Sequence, residues 1–180
     1  RSGRHGPKCI SDRFMAYQSI ASSAQYDSLL PARRKVIDNA LRDFRLSGID
    51  LPESEQARFS ELSREISGLN SAFNNNVLDA TQVWQKLLKE KSGLSGVPHN
   101  ALVSMHQNAV DKELQGYLLT LDAPCYLAIM THCDDRTLRQ ELYTAFGTRA
   151  SNLGPNAGEF DNSDVIHALL SARLEQASLL

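Results

Sequence analysis

The sequence predicts a mainly α-helical protein with one long helix and one short pair of β-strands. Three observations lead there. Apolar residues recur every three or four positions through most of the chain, as in Val36, Ile37, Ala40, Leu41 and Phe44, which is the period of one helix face. Pro31 and Gly48 sit where such a stretch would start and stop. Two short apolar runs, Val83 to Leu88 and Gly116 to Asp122, depart from the helical period beside Gly and Pro breakers. With 180 residues, 42% of them apolar, the chain is long enough to bury a core.

Residues 1–12 combine Gly3, Gly6 and Pro7 with charges and show no apolar period, so they are expected to be a leader or an expression remnant, with residues 13–180 forming the helical region. Asp12 is the expected N-cap of a short helix whose face is Phe14, Tyr17, Ile20, Ala21 and Ala24. A second helix should run from about Pro31 to Ser47, closed by Gly48 in a left-handed conformation with Ile49 as its apolar contact. Pro52 opens a third, with Phe59, Leu62, Ile66, Leu69, Phe73 and Val77 on one face and Arg58, Glu61, Arg64 and Glu65 on another. Extended to Ala80 it would be roughly 40 Å long. Gly68 and the run Asn74-Asn75-Asn76 weaken it, so its stability must come from neighbours.

From Gln82 to Leu88 the pattern is ambiguous between helix and strand, and Gly93, Gly96 and Pro98 mark a connection. Leu102, Met105 and Ala109 predict a helix, and Tyr117 to Leu121 a strand. Val83 to Leu88 is the expected partner of that strand, because a lone strand leaves its backbone groups unpaired. Tyr126, Ile129 and Met130 predict a brief helix; Asp134 or Asp135 can cap the next, with Leu138, Leu142, Tyr143 and Phe146 as its face. Ser151 to Asp161 reads as a loop. Asn162 can cap a last helix with the stripe Val165, Ile166, Leu169, Leu170, Leu174 and Ala177, still in phase at Leu180, the pattern expected of a truncated chain.

Charge argues against nucleic acid as a partner: 19 basic residues against 21 acidic ones give a net charge of −2, with no basic field. No apolar run approaches the roughly 18 residues needed to cross a bilayer, so no membrane partner is expected. Cys9, Cys125 and Cys133 are odd in number and widely spaced, which points away from a disulfide framework and towards the cytoplasm.

Candidate chemistry is sparse. His-Glu-x-x-His puts two imidazoles on one helix face with a carboxylate beside a metal-bound water, but His5, His99, His106, His132 and His167 are followed by Gly, Asn, Gln, Cys and Ala. Cys125, His132 and Cys133 suggest a metal or a thiol nucleophile; the structural reading, core thiols beside an exposed imidazole, is preferred because adjacent helical side chains diverge by about 100°. His5 and Cys9 are four apart, but Gly6 and Pro7 spoil a helix between them. The segment Gly154 to Gly158 precedes a helix and lacks the Gly-Lys-Ser/Thr ending of a phosphate loop, so it reads as a turn into that helix. Trp84 and Tyr117, if they face each other across the strands, form either a wall for peptide side chains or, by preference, core. Asn74-Asn75-Asn76 suits either an extended peptide backbone or a solvated helix side. Asp134, Asp135, Glu141, Asp161 and Asp164 lie mainly near helix starts, where negative charge is stabilising, and form no catalytic pair. On residues alone, catalytic residues: none; metal ligands: none; substrate-binding residues: unknown.

Five collinear stretches resemble the bacterial oligopeptidase A branch of the thimet oligopeptidase and neurolysin family of zinc metallopeptidases. They are Asn39 to Phe44 with Ser47-Gly48-Ile49; Asn75 to Thr81 with Trp84; Gly116 to Asp122 with Pro124 and Tyr126; Thr148 to Ser151; and Gly154 to Gly158 continuing to Asp161-Asn162-Ser163. The match runs from about residue 14 to residue 180, while residues 1–12 do not take part. The resemblance implies a largely helical, two-lobed enzyme around a channel that admits short peptides, with this chain as its N-terminal, non-catalytic part. Zinc and the catalytic groups would lie in a C-terminal region beyond Leu180, so the resemblance implies a chain that binds no zinc and is inactive alone. In the intact enzyme it implies zinc-assisted hydrolysis with a glutamate handling the proton. Two other readings stand beside it: a stand-alone helical module that binds a peptide or protein, and a thiol enzyme using Cys125 or Cys133, against which no activating neighbour is evident.

Overall fold

A computed structural model describes residues 7–180, with side chains from Ile10 onward. Helix accounts for 68% of the chain and the only sheet among the described residues has two strands, so the mainly α expectation holds. Two compact units can be distinguished: residues up to Ser67 together with Leu170–Leu180, and Gly68–Leu169.

The first unit contains α1 (Pro7–Ala21), α2 (Pro31–Leu46), the start of α3 (Glu53–Val83) and the end of α7 (Ser163–Leu179). Phe14 of α1 is buried with Ile37 and Leu41 of α2, and the Phe44 ring meets Phe14 edge-on at 5.8 Å between centroids. α1 starts at Pro7, where a proline's fixed φ suits a first turn, so Asp12 lies inside the helix and caps nothing; Gly and charge had concealed that start. The expectation for residues 1–6 lies outside the described residues. α2 keeps its expected limits. Pro31 is its first residue and Gly48 follows its end with φ +78°, donating its N–H to Arg45 O at 2.8 Å. Its buried face is narrower than expected, because Val36 points to solvent. On α3, Leu62 is fully buried, and Arg58 meets Glu175 of α7 through two bonds of 2.6 and 2.7 Å.

The second unit holds the larger core. α3 spans 31 residues, about 46 Å at about 1.5 Å per residue, and continues three residues past the expected Ala80. β1 is therefore confined to Gln85–Leu88, pairing antiparallel with β2 (Tyr117–Thr120). Leu88, not Trp84, faces Tyr117. Trp84 is buried in the core, which removes it from any shared aromatic wall with Tyr117. At Gly116, φ is +124° and a Cβ would come within 2.2 Å of the Leu88 carbonyl oxygen, so only glycine lets the chain enter β2 this close to β1. α4 (His99–Val110) buries Leu102, Met105 and Ala109; α5 (Ala123–His132) buries Cys125 and Ile129; α6 (Arg136–Gly147) buries Leu138, Leu142 and Ala145. Asp135 caps α6, accepting from the N–H groups of Thr137 at 2.8 Å and Leu138 at 3.2 Å. Tyr143, expected on the apolar face, is exposed, and Ala145 takes that role.

The start of α7 differs from expectation. Asp161 accepts from the Ser163 N–H at 2.9 Å, while the Asn162 side chain turns inward, 2% exposed, donating to Phe73 O at 3.2 Å and accepting from Asn76 Nδ2 at 2.9 Å. Buried as it is, the Asn162 amide takes partners on α3 in place of a local capping role, since leaving its own polar atoms unpaired would be costly. The single apolar stripe expected on α7 also splits. Val165 and Leu169 are half-buried and Ala172 is buried, whereas Ile166, Leu170 and Leu174 are exposed.

Candidate functional site

In the second unit a groove of about 360 Å³ lies between α4 and α5. Asn100, Ser104 and Asn108 recur four apart and so form one line along α4; Pro124, Leu127, Ala128 and Thr131, at steps of three, one and three, share one face of α5. The Asp134 N–H donates to Ser95 O at 2.9 Å, bringing the end of α5 back to the turn before α4. Asp122 lies at one end of the groove and His132 at the other. Amides, hydroxyls and short apolar side chains make a surface that can hold an extended polar chain.

Cys125 and His132 both line this groove. They are seven residues apart on α5, about 10 Å along the axis at about 1.5 Å per residue, far beyond the roughly 3 Å a nucleophile and its base require. Burial pushes the Cys125 thiol above its ordinary range, and its sulfur accepts the Thr120 N–H at 3.4 Å. Burial also raises Cys133, whose Sγ faces Gly93 O at 3.5 Å. These are core thiols, not activated ones.

The other candidates scatter. His106 Nδ1 donates to Gly116 O at 2.9 Å and its ring lies 5.8 Å from Tyr117, so it ties α4 to the start of β2. His99 and His167 are exposed, and His5 lies outside the described residues, as does the side chain of Cys9. Glu141 pairs with Lys86, Asp134 accepts from Ser95 Oγ at 2.7 Å, and Asp135 and Asp161 bond to helix starts. Asn74 and Asn75 are exposed, while Asn76 is committed to Asn162. The Gly154 to Gly158 turn closes on itself, with Gly158 N donating to Ser151 O at 3.0 Å. Among the described residues no three His, Cys, Asp or Glu side chains come together as metal ligands, so these residues do not fit a zinc site. No helix among them is long and apolar enough to cross a membrane. The Asn100, Ser104, Asn108 spacing was visible in the sequence, but its significance depends on α5, which approaches only after the intervening strand.

Fold and groove define a mainly helical region with a short two-stranded sheet. No family model matches the chain. It is 48% identical over 167 residues to oligopeptidase A of Escherichia coli (strain K12), a match covering 93% of this chain and 25% of that protein. Oligopeptidase A of Haemophilus influenzae is likewise 48% identical over 93% of the chain and 24% of its own length. The "probable cytosolic oligopeptidase A" of Arabidopsis thaliana is 36% identical over 174 residues, again 93% of the chain and 24% of that protein. The chain therefore belongs with the oligopeptidases A as a homologue of their N-terminal part, and spans about a quarter of their length.

Proposed function

We propose that this chain serves as the non-catalytic N-terminal part of a zinc-dependent oligopeptidase that hydrolyses short peptides, contributing scaffold and channel wall. The observation that supports this reading most directly is the 48% identity over 93% of the chain to proteins named oligopeptidase A. The lack of a His-Glu-x-x-His sequence in the 180 residues supports this reading, in which the reacting groups lie in polypeptide outside this region. In this reading zinc belongs to the longer enzyme and is not held by these residues. The partners are short peptides and the C-terminal catalytic region, and the compartment is the cytoplasm, consistent with two free buried thiols.

The purified chain, given zinc and a quenched fluorescent peptide, is expected to show no chelator-sensitive turnover. Joined to the C-terminal three quarters of E. coli oligopeptidase A, it is expected to support turnover. Peptide cleavage by the 180-residue chain alone, or stoichiometric nanomolar zinc bound to it, overturns the reading.

A further inference from the structure

The last turns of α7 are fastened by their polar side. Glu175 accepts both arms of Arg58 at 2.6 and 2.7 Å, and Gln176 Nε2 donates to Ser63 Oγ at 2.8 Å, with buried Ala172 between these residues and the preceding turn. The leucines point elsewhere. Leu170 and Leu174 are 58% and 71% exposed, and with Ala177 they fall at steps of four and three, one ridge on the face opposite Ala172 and Gln176. A helix that turns its small and polar residues to its own unit and its leucines to water has the pattern of an interface.

We propose that the Leu170, Leu174 and Ala177 ridge is a docking face for the polypeptide that, in the longer oligopeptidases A, follows the matched region. The inference rests on the reading under Proposed function. The matched 167 residues are the N-terminal quarter of the E. coli protein, so in that protein about three times as much polypeptide follows the helix corresponding to α7. The occupant is an apolar segment of that polypeptide, which would cover Leu170 and Leu174 without disturbing the Arg58–Glu175 pair on the other side.

The test places a cysteine on the ridge, Leu174→Cys in a Cys9→Ser background, and measures its labelling by a charged thiol reagent relative to the unfolded protein. It compares the 180-residue chain with the same chain joined to the C-terminal three quarters of E. coli oligopeptidase A. Labelling is expected to be at least tenfold slower in the joined protein. Equal rates in a joined protein that cleaves peptide overturn the docking face and leave the functional reading intact. Protection in a folded but inactive joined protein supports the docking face and counts against the functional reading. Protection that grows with concentration in the 180-residue chain assigns the ridge to a second copy and overturns the proposal. A second variant covers the case in which the joined protein does not fold: Leu170→Asp with Leu174→Asp, in the chain alone, is expected to leave Tm within about 2 °C. A fall beyond about 5 °C shows the leucines to be covered within the chain and refutes the assignment.

Discussion

Replacing Asn162 by alanine tests whether its inward turn holds α3 to the start of α7. The side chain is 2% exposed and makes two bonds, to Phe73 O at 3.2 Å and from Asn76 Nδ2 at 2.9 Å. Each hydrogen bond contributes about 1 kcal/mol net, and leaving the partly buried Asn76 amide without its acceptor adds about 1 kcal/mol or more. The expected loss is therefore about 2–4 kcal/mol, a fall in Tm of roughly 2–4 °C for each kcal/mol in a chain of this size. Urea unfolding followed by Trp84 fluorescence is the suitable assay, because the single tryptophan is buried in the same unit. Asn76→Ala and the double variant complete a cycle whose coupling should exceed about 0.5 kcal/mol, since the two amides touch. Asn162→Asp adds a check of sign: a carboxylate facing the Phe73 carbonyl loses the donor and is harder to ionise when folded. Its folded pKa then lies above the unfolded one, and the variant should be closest to wild type in acid and lose stability as pH rises through the folded pKa. A loss below about 0.5 kcal/mol for Asn162→Ala would refute the argument.

Two further outcomes follow from local geometry. Gly48→Ala forces a side chain into φ +78° with its Cβ 2.8 Å from the Phe59 ring, and should cost about 1–2 kcal/mol or more, whereas Gly68→Ala meets no atom within 4 Å and should stabilise α3 by about 0.5–1 kcal/mol; circular dichroism during thermal unfolding compares them. Because burial raises both Cys125 and Cys133, a thiolate-specific reagent at pH 8 should modify them at least about 100-fold more slowly in the native protein than in guanidinium, and rapid native labelling of either would contradict their place in the core.

The parts of the fold that could be read in advance are those a residue dictates locally. Pro31 and Gly48 bound α2 because proline presets the φ of a first helical turn and glycine accepts the φ of +78° that ends it, and Asp135 caps α6 because its carboxylate reaches amides two and three residues ahead. Where the deciding partner lies far along the chain, sequence reasoning missed it. Asn162 looks like a cap until Phe73 is placed beside it, 89 residues away. The strand register moved because α3 persists to Val83, and nothing within Gln82 to Leu88 indicates that packing will prolong the helix. The α7 stripe contained enough leucine for two faces, and spacing alone did not say which face would be covered. The groove was not read from the sequence: Asn100, Ser104 and Asn108 gain meaning only when α5 supplies the other wall.

The Arg58–Glu175 contact gives the end of α7 opposite responses to ionic strength. Both groups are partly open to solvent, so added salt screens their attraction, while salts excluded from protein surfaces favour burial of the exposed leucines on the far side of the same helix. Acid acts in the first direction too: hydrogen bonding to Arg58 holds the Glu175 carboxyl below its usual range, so the contact persists above the unfolded pKa and is released as pH falls through the lower, folded value. A concentrated sulfate solution should therefore weaken the ion pair on one side of α7 while favouring cover of the exposed leucines on the other.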